Sequence, residues 1–271
     1  MKRTYTKQLW QLKWLLVLLL FFGVILQGQC QEEVPEQYEL PEMETDRPDQ
    51  TEAASLVPRK TVQLETGFYF QEDTESGVEQ KIRAYPTALL RIGVLGWLEL
   101  RVQSALRDSV AESRRRFRTS GFAPLTVGAK IKLWEEQGLR PQAAFMTMVV
   151  LPVGSRQFRP ENPNPTFRLM LKNSLAEKLD LSYNLMYGWV EGESIKGYAV
   201  SLGYDISDKF TVYGEAFGDK QTGDKAEHSV DGGILFMLFP NLQLDVAAGR
   251  ALNKAATDYF VTAGVSVRLP R

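Results

Sequence analysis

His228 is the only side chain in the 271 residues whose ordinary pKa suits proton transfer near neutral pH. Ser229 follows it directly, but adjacent residues of a strand point to opposite faces, so the two cannot form a nucleophile–base pair from that strand. One histidine and one cysteine are too few for a zinc site of usual composition. No glycine-rich phosphate loop is present. We therefore expect no catalytic residue, metal or cofactor, and we interpret His228 as a solvated residue at a strand's rim.

A second group of residues could act by charge pairing. Asp46, Arg47 and Asp49 stand in "TDRPDQTE", within an acidic, proline-containing stretch that has no periodicity. Carboxylates and guanidinium groups form charge-assisted hydrogen bonds. We expect this stretch to act as a plug that folds back onto basic residues of the following strands, with a disordered leader as the alternative. Its expected partners are Arg91, Arg101, Lys130 or Lys132.

A basic cluster lies in "RDSVAESRRRFR", residues 107–118, which we expect to be a long outer loop. Such a cluster could bind lipopolysaccharide phosphates or steer anions, and it could equally be a solvated loop. The sequence leaves both interpretations open. Its members are Arg107, Arg114, Arg115, Arg116 and Arg118.

The elements that position these residues are strands, because apolar and polar side chains alternate along the chain after residue 60. In one strand Leu98, Leu100 and Val102 alternate with Glu99 and Arg101. We predict twelve strands, at 61–72, 80–94, 97–107, 122–134, 139–151, 166–175, 179–191, 195–205, 209–219, 227–238, 241–251 and 258–269.

The connections between these strands alternate between short turns and longer polar loops, with one exception at residues 192–194. An even number of strands, with short turns at one end of the barrel and long loops at the other, is typical of an outer-membrane barrel. A charge facing lipid at mid-depth costs about 2–4 kcal/mol, so the charged faces should line the lumen. A lipocalin-like soluble barrel would have the opposite polarity. The expected lumen or transport-path residues are Arg91, Glu99, Arg101, Lys130, Lys132, Glu215, Asp245 and Arg268.

Composition and the N-terminus agree with an exported β protein. The 32 basic and 33 acidic residues nearly balance, so nucleic acid is not an expected partner. A mean hydropathy of −0.22 excludes a bundle of transmembrane helices. Four basic residues followed by the apolar run at 14–26 indicate a signal peptide over residues 1–30, with a retained anchor as the alternative. We then expect an irregular acidic periplasmic arm at 31–60 and a transmembrane antiparallel up-and-down β-barrel at 61–271.

Several stretches in order resemble a known family: "ETDRPDQTE", "QLETGFYF", "LLRIGVLGWLELRV", "GFAPLTVGAKIKL", "SDKFTVYGEAFG" and "DGGILFMLFPNLQLDVAAGRAL". The chain is similar to the outer-membrane β-barrel transporter family named for the putative meta-pathway of phenol degradation. The resemblance implies a barrel in a Gram-negative outer membrane that passes small molecules, aromatic or apolar compounds among them. The chain ends "VRLPR" rather than in the aromatic residue that the barrel-assembly machinery often reads, which leaves Phe260 or the whole last strand as the signal.

The expected function is therefore a channel or passive transporter for small molecules, with outer-membrane lipids and lipopolysaccharide around it. Two alternatives remain open at this point. One is a closed structural or ligand-binding barrel without steady transport, and solute flux separates it from a channel. The other is a lipid-directed hydrolase, in which His228→Ala would abolish an activity.

Overall fold

The computed structural model describes residues 40–75, 77–113 and 116–270, so the predicted signal peptide lies outside the described residues. Within these ranges the chain forms thirteen antiparallel strands. No helix in them is long and apolar enough to span a bilayer. The strands are β1 (Val62–Glu75), β2 (Val78–Leu95), β3 (Leu98–Glu112), β4 (Arg116–Phe122), β5 (Thr126–Trp134), β6 (Gln142–Val150), β7 (Asn164–Ala176), β8 (Leu179–Val190), β9 (Glu193–Ser207), β10 (Phe210–Gln221), β11 (Glu227–Phe239), β12 (Leu242–Ala251) and β13 (Tyr259–Leu269).

The sheet closes on itself. β1 pairs with β13 on one side and with β2 on the other, and β2 pairs in turn with β3. Every other strand pairs with its sequence neighbours, except that β4 and β5 follow one another along β3. They therefore occupy one position in the barrel, and the predicted twelve-position transmembrane barrel is confirmed. Closure leaves no open edge in the ring of strands, as a hydrocarbon environment requires, and β4, which pairs with β3 alone, extends beyond that ring.

Two connections that we expected to be long loops are instead extended hairpins. β1 and β2 continue to residues 75 and 78, and β3 and β4 continue to residues 112 and 116. The prediction that residues 107–118 form a loop is therefore wrong. Arg107 lies in β3, whereas Arg116 and Arg118 lie in β4. Arg114 and Arg115 lie outside the described residues. Cross-strand pairing continues into this polar sequence because each added residue completes the backbone ladder.

The polarity of the barrel is the inverse of that of a soluble protein. In β12, Gln243 and Asp245 are 2% and 6% exposed, whereas Leu244 and Val246 are 40% and 50% exposed. The same contrast holds around the barrel, where charged groups such as Arg91 are fully buried. In water this arrangement would expose large apolar side chains and bury charges, which is unfavourable on both counts. In a bilayer the apolar faces meet lipid instead, which excludes the lipocalin-like alternative.

Candidate functional site

The interior of the barrel holds residues 41–58, which we call the arm. It begins where Arg268 donates to the Pro41 carbonyl at 2.6 Å and ends in the turn that precedes β1, where the Thr61 amide donates to the Pro58 carbonyl at 3.1 Å. Since a segment that touches inward side chains on opposite sides of a closed barrel must lie within it, the arm occupies the interior. The strand side chains that hydrogen-bond to it are Gln63, Glu65, Thr87, Arg91, Glu99, Arg101, Lys130, Arg168, Lys172, Asn184, Glu215, Gln243, Asp245, Thr262 and Arg268.

Asp46 lies at the centre of a cluster of three bases. Its carboxylate is 2.6 Å from Arg101 Nη1, 3.2 Å from Arg91 Nη1 and 3.4 Å from Lys130 Nζ. Burial alone would raise the pKa of Asp46, but Arg91, Lys130 and Arg101 outweigh it and hold that pKa well below its usual value. Asp46 Oδ1 also accepts from the Ala53 amide at 2.8 Å, which closes the arm into a loop around this carboxylate.

The barrel wall supplies two further carboxylates to this cluster. Arg91 and Arg101 face each other directly across β2 and β3, a pairing that is unfavourable for like charges by itself. Glu99 bridges them, with 2.9 Å to Arg91 Nε and 3.2 Å to Arg101 Nη1, and Glu65 lies 3.0 Å from Arg91 Nη1. Positive and negative groups therefore alternate in space, as burial of so many charges demands.

Arg47 makes the arm's main contact with β12 and β13, which lie on the other side of β1 from the three bases. Its Nη2 lies 3.0 Å from Asp245 Oδ1 and 2.8 Å from Thr262 Oγ1. Gly67 and Gly264 face each other across β1 and β13, and the guanidinium lies over both. A Cβ on Gly67 would come within 2.7 Å of Arg47 Nη2, so a side chain at this position would displace it. The glycines thus leave the space in which Arg47 reaches Asp245.

A carboxylate-rich region lies beside Arg47. Glu215 and Asp231 face each other across β10 and β11, and Glu215 accepts a hydrogen bond from the Gln50 amide at 2.8 Å and from the Thr51 hydroxyl. Burial, together with the charges of Glu215 and Asp231, raises the pKa of Asp49 well above its usual value. Asp49 is therefore favoured in its neutral form while the arm is in place.

This arrangement predicts that the arm binds less tightly as pH rises. A carboxyl group with a raised pKa stabilises the docked state below its ordinary pKa of about 4, and this contribution is lost as pH rises through the raised value. Single-channel current through the intact chain should therefore increase as pH rises above about 4. Asp49→Asn, which stays neutral, should flatten this dependence. A current that falls over this range, or the same rise in Asp49→Asn, would show that another group controls it.

Several cavities border the arm, including one of about 200 Å³ beside Gln50 and two that lie toward opposite ends of the strands. One of about 550 Å³ lies between the arm and the parts of β1–β3 that lead into the extended hairpins. Another of about 210 Å³ lies toward the short turns of β7–β12. Asp49 of the arm lines both cavities.

The structure brings together most of the residues predicted for the lumen. Seven of them contact the arm, and Lys132 does not: its amine lies 2.5 Å from Glu135 in the adjoining turn. Sequence reasoning missed Glu65, although "VQLE" alternates in the same way as the strands that it did identify. It also missed Lys172, whose amine lies 2.8 Å from Glu44 of the arm. The contacting residues are Arg91, Glu99, Arg101, Lys130, Glu215, Asp245 and Arg268.

The lone histidine lies away from this cluster. His228 Nδ1 is 3.1 Å from the Tyr198 hydroxyl, and its ring packs against the Tyr198 ring at a centroid distance of 6.0 Å. Across the described part of the chain, no group of three or more histidine, cysteine or acidic side chains has the geometry to hold a metal ion. The contact with Tyr198 accounts for the position of His228.

Comparison with known proteins agrees with this geometry. Residues 45–269 match the family described as "Putative MetA-pathway of phenol degradation". An outer-membrane channel from Pseudomonas putida F1 shares the fold with a TM-score of 0.60, at 12% identity over 83% of this chain and 100% of that one. The KdgM porin gives a TM-score of 0.51, at 11% identity over 75% and 98% of the two chains. A comparison with curated proteins gives no match. The chain therefore belongs to the phenol-degradation MetA-pathway family, and its fold is that of an outer-membrane β-barrel channel.

Proposed function

We propose that this protein is an outer-membrane channel for small molecules in which the arm acts as a plug. The observation that carries the proposal is the arm's position: Asp46 binds Arg101 on β3 and the Gln50 amide binds Glu215 on β10, six strand positions away on the opposite side of the interior. Asp46 contacts Arg91, Arg101 and Lys130, and Arg47 contacts Asp245. A twelve-strand barrel is wider than the eight-strand barrels that side chains fill, so an inserted segment decides whether it is permeable.

The plug is held by residues that can also line a path. When the arm withdraws, the inward charges lose their protein partners and gain water, which makes the lumen a polar passage. We assign the plug to Asp46, Arg47 and Asp49. We assign the path to Arg91, Glu99, Arg101, Lys130, Lys132, Glu215, Asp245 and Arg268.

The same proposal covers the cellular setting. The signal peptide at 1–30 is cleaved, and the barrel-assembly machinery inserts the mature chain into the outer membrane of a Gram-negative bacterium. Outer-membrane lipid contacts the apolar faces, and lipopolysaccharide lies beside exposed Arg116 and Arg118. The family description favours small aromatic or apolar solutes. A passage by diffusion requires no cofactor and no reaction.

Deletion of residues 31–55 should turn a nearly closed barrel into an open one, because it removes both sets of ionic contacts. Flux of small neutral solutes into proteoliposomes should rise at least tenfold relative to the intact mature chain, and it should fall with solute size. Deletion of 31–40 alone is the matched control, because Pro41 is the first of the described residues that bonds to the wall.

The alternative of a closed structural barrel gives a different result. Its lumen would be sealed by the wall itself, so neither deletion would pass solute. Equal and low flux through all three chains, each shown to be folded by its resistance to unfolding in SDS, would contradict the proposed function.

A further inference from the structure

The larger of the two cavities toward the ends of the strands has the dimensions of a small-molecule site. Its volume of about 550 Å³ lies within the range of roughly 300–1,000 Å³ found for ligand pockets. One wall is formed by apolar side chains of β2 and β3, and the arm forms the floor. The apolar residues of this wall are Ile82, Ala84, Ala88, Leu89 and Ala105.

Arg107 stands out among the basic side chains that line this cavity. Arg47 is paired with Asp245 at 3.0 Å, and Arg168 donates to the Gln50 carbonyl at 3.0 Å. Among the described residues, Arg107 has no ion pair within 4 Å, and its Nε has no hydrogen-bond partner. Its guanidinium instead lies 5.1 Å from the centroid of the Phe158 ring, which fixes its position without neutralising its charge.

The acidic groups of the lining do not cancel this charge, because most are engaged elsewhere. Asp46 and Glu65 bind Arg91, and Glu52 lies 2.8 Å from Arg101 Nη2. Asp49 borders the cavity, and its proximity to Glu215 and Asp231 favours its neutral form. The cavity therefore combines an apolar wall with one uncompensated guanidinium.

We propose that this cavity binds a small carboxylate with an apolar body, such as benzoate. The carboxylate would accept hydrogen bonds from Arg107, and the ring would cover Ile82, Ala84 and Leu89. A guanidinium presents parallel donors that match a carboxylate, and the pairing strengthens in a partly desolvated cavity. This inference rests on the proposed function for its biological meaning. It adds to that function the class of solute that the channel binds before passage.

The test is equilibrium binding to the refolded mature chain in detergent micelles, with empty micelles subtracted. Benzoate should bind at least tenfold more tightly than benzamide, which has the same ring without the charge. Arg107→Gln should remove this preference and Arg107→Lys should retain part of it. Arg140→Gln, which removes the same charge from an exposed position between β5 and β6, should leave the preference unchanged.

Two results would overturn the inference: equal binding of benzoate and benzamide to the unaltered chain, or an undiminished preference in a folded Arg107→Gln variant. Tighter binding of benzylamine than of benzoate would also overturn the inference, because the cavity would then prefer cations. Since micelle binding needs no flux, these results are independent of the arm-deletion experiment. If benzoate binds but the barrel passes no solute after arm deletion, the proposed channel function is refuted and the proposed binding site stands.

Discussion

Replacement of Asp46 by asparagine is expected to release the arm from the barrel interior. The change removes the negative charge that Arg91, Arg101 and Lys130 share at 2.6–3.4 Å. Removal of one partner from a buried ionic cluster typically costs about 3–5 kcal/mol, because the remaining charges stay buried. Lys130 is affected most, since its other hydrogen bonds are to the carbonyls of Ala53 and Ser55 in the arm itself.

The penalty should appear as arm release rather than as unfolding of the barrel. Once the arm withdraws, water reaches the three bases and restores their solvation. A cost of about 3–5 kcal/mol corresponds to a change of roughly a hundredfold or more in the ratio of docked to free arm. Hydrogen exchange reports this directly, because the amides of Gln50, Glu52 and Val57 donate to wall side chains at 2.8–2.9 Å.

The matched control for this experiment is Glu135→Gln. It breaks the Lys132–Glu135 pair, in which Glu135 is 62% exposed, and exposed pairs contribute about 0–1 kcal/mol. Exchange of the three arm amides should be unchanged in this variant. Unchanged exchange in Asp46→Asn as well would refute the role of Asp46 as the anchor of the arm.

Replacement of Arg91 by alanine is expected to destabilise the barrel itself. Arg91 is fully buried on β2 and contacts Glu99, Glu65 and Asp46 at 2.9–3.2 Å. Without it, Glu65 loses its ion pair and Glu99 keeps one ion pair within 4 Å, with Arg101 of its own strand. We expect a loss of about 3–5 kcal/mol in the free energy of unfolding, measured from urea midpoints in lipid vesicles.

Two comparisons make this result specific. Arg83→Ala removes an arginine from the same strand whose side chain is 47% exposed and lies 3.9 Å from Asp108, so its effect should stay below about 1 kcal/mol. Arg91→Met combined with Glu65→Gln removes both charges of one pair and should recover part of the loss. Equal effects of Arg91→Ala and Arg83→Ala would mean that the buried cluster contributes no more than a surface pair.

The membrane strands were predictable because their environment is simple. One face of each strand meets lipid and the other meets the interior, so Gln243, Leu244, Asp245 and Val246 reveal both the strand and its orientation. The extended ends of β3 and β4 were not predictable in the same way. Beyond the bilayer both faces meet water, the alternation is lost, and polar sequence can form a hairpin as readily as a loop.

The position of the arm required the folded barrel. Charge complementarity suggested partners for Asp46, and Arg91, Arg101 and Lys130 are the partners found. The contact of Arg47 with Asp245 depends on the space over Gly67 and Gly264, which no pattern in the arm encodes. Arg107 was expected in a long outer loop, but β3 continues to Glu112, and its alternation from Arg101 onward places Arg107 on the inward face beside the cavity.

The most direct test of the plug is single-channel conductance of the chain lacking residues 31–55, recorded in a planar bilayer before and after a synthetic peptide of residues 41–58 is added. We expect large steady steps that the peptide reduces in a dose-dependent manner, at millimolar concentrations because the tether is lost. The same peptide with Asp46→Asn and Arg47→Gln should have little effect. Conductance no larger than that of the intact chain, or a block by both peptides alike, would show that the arm is not a plug.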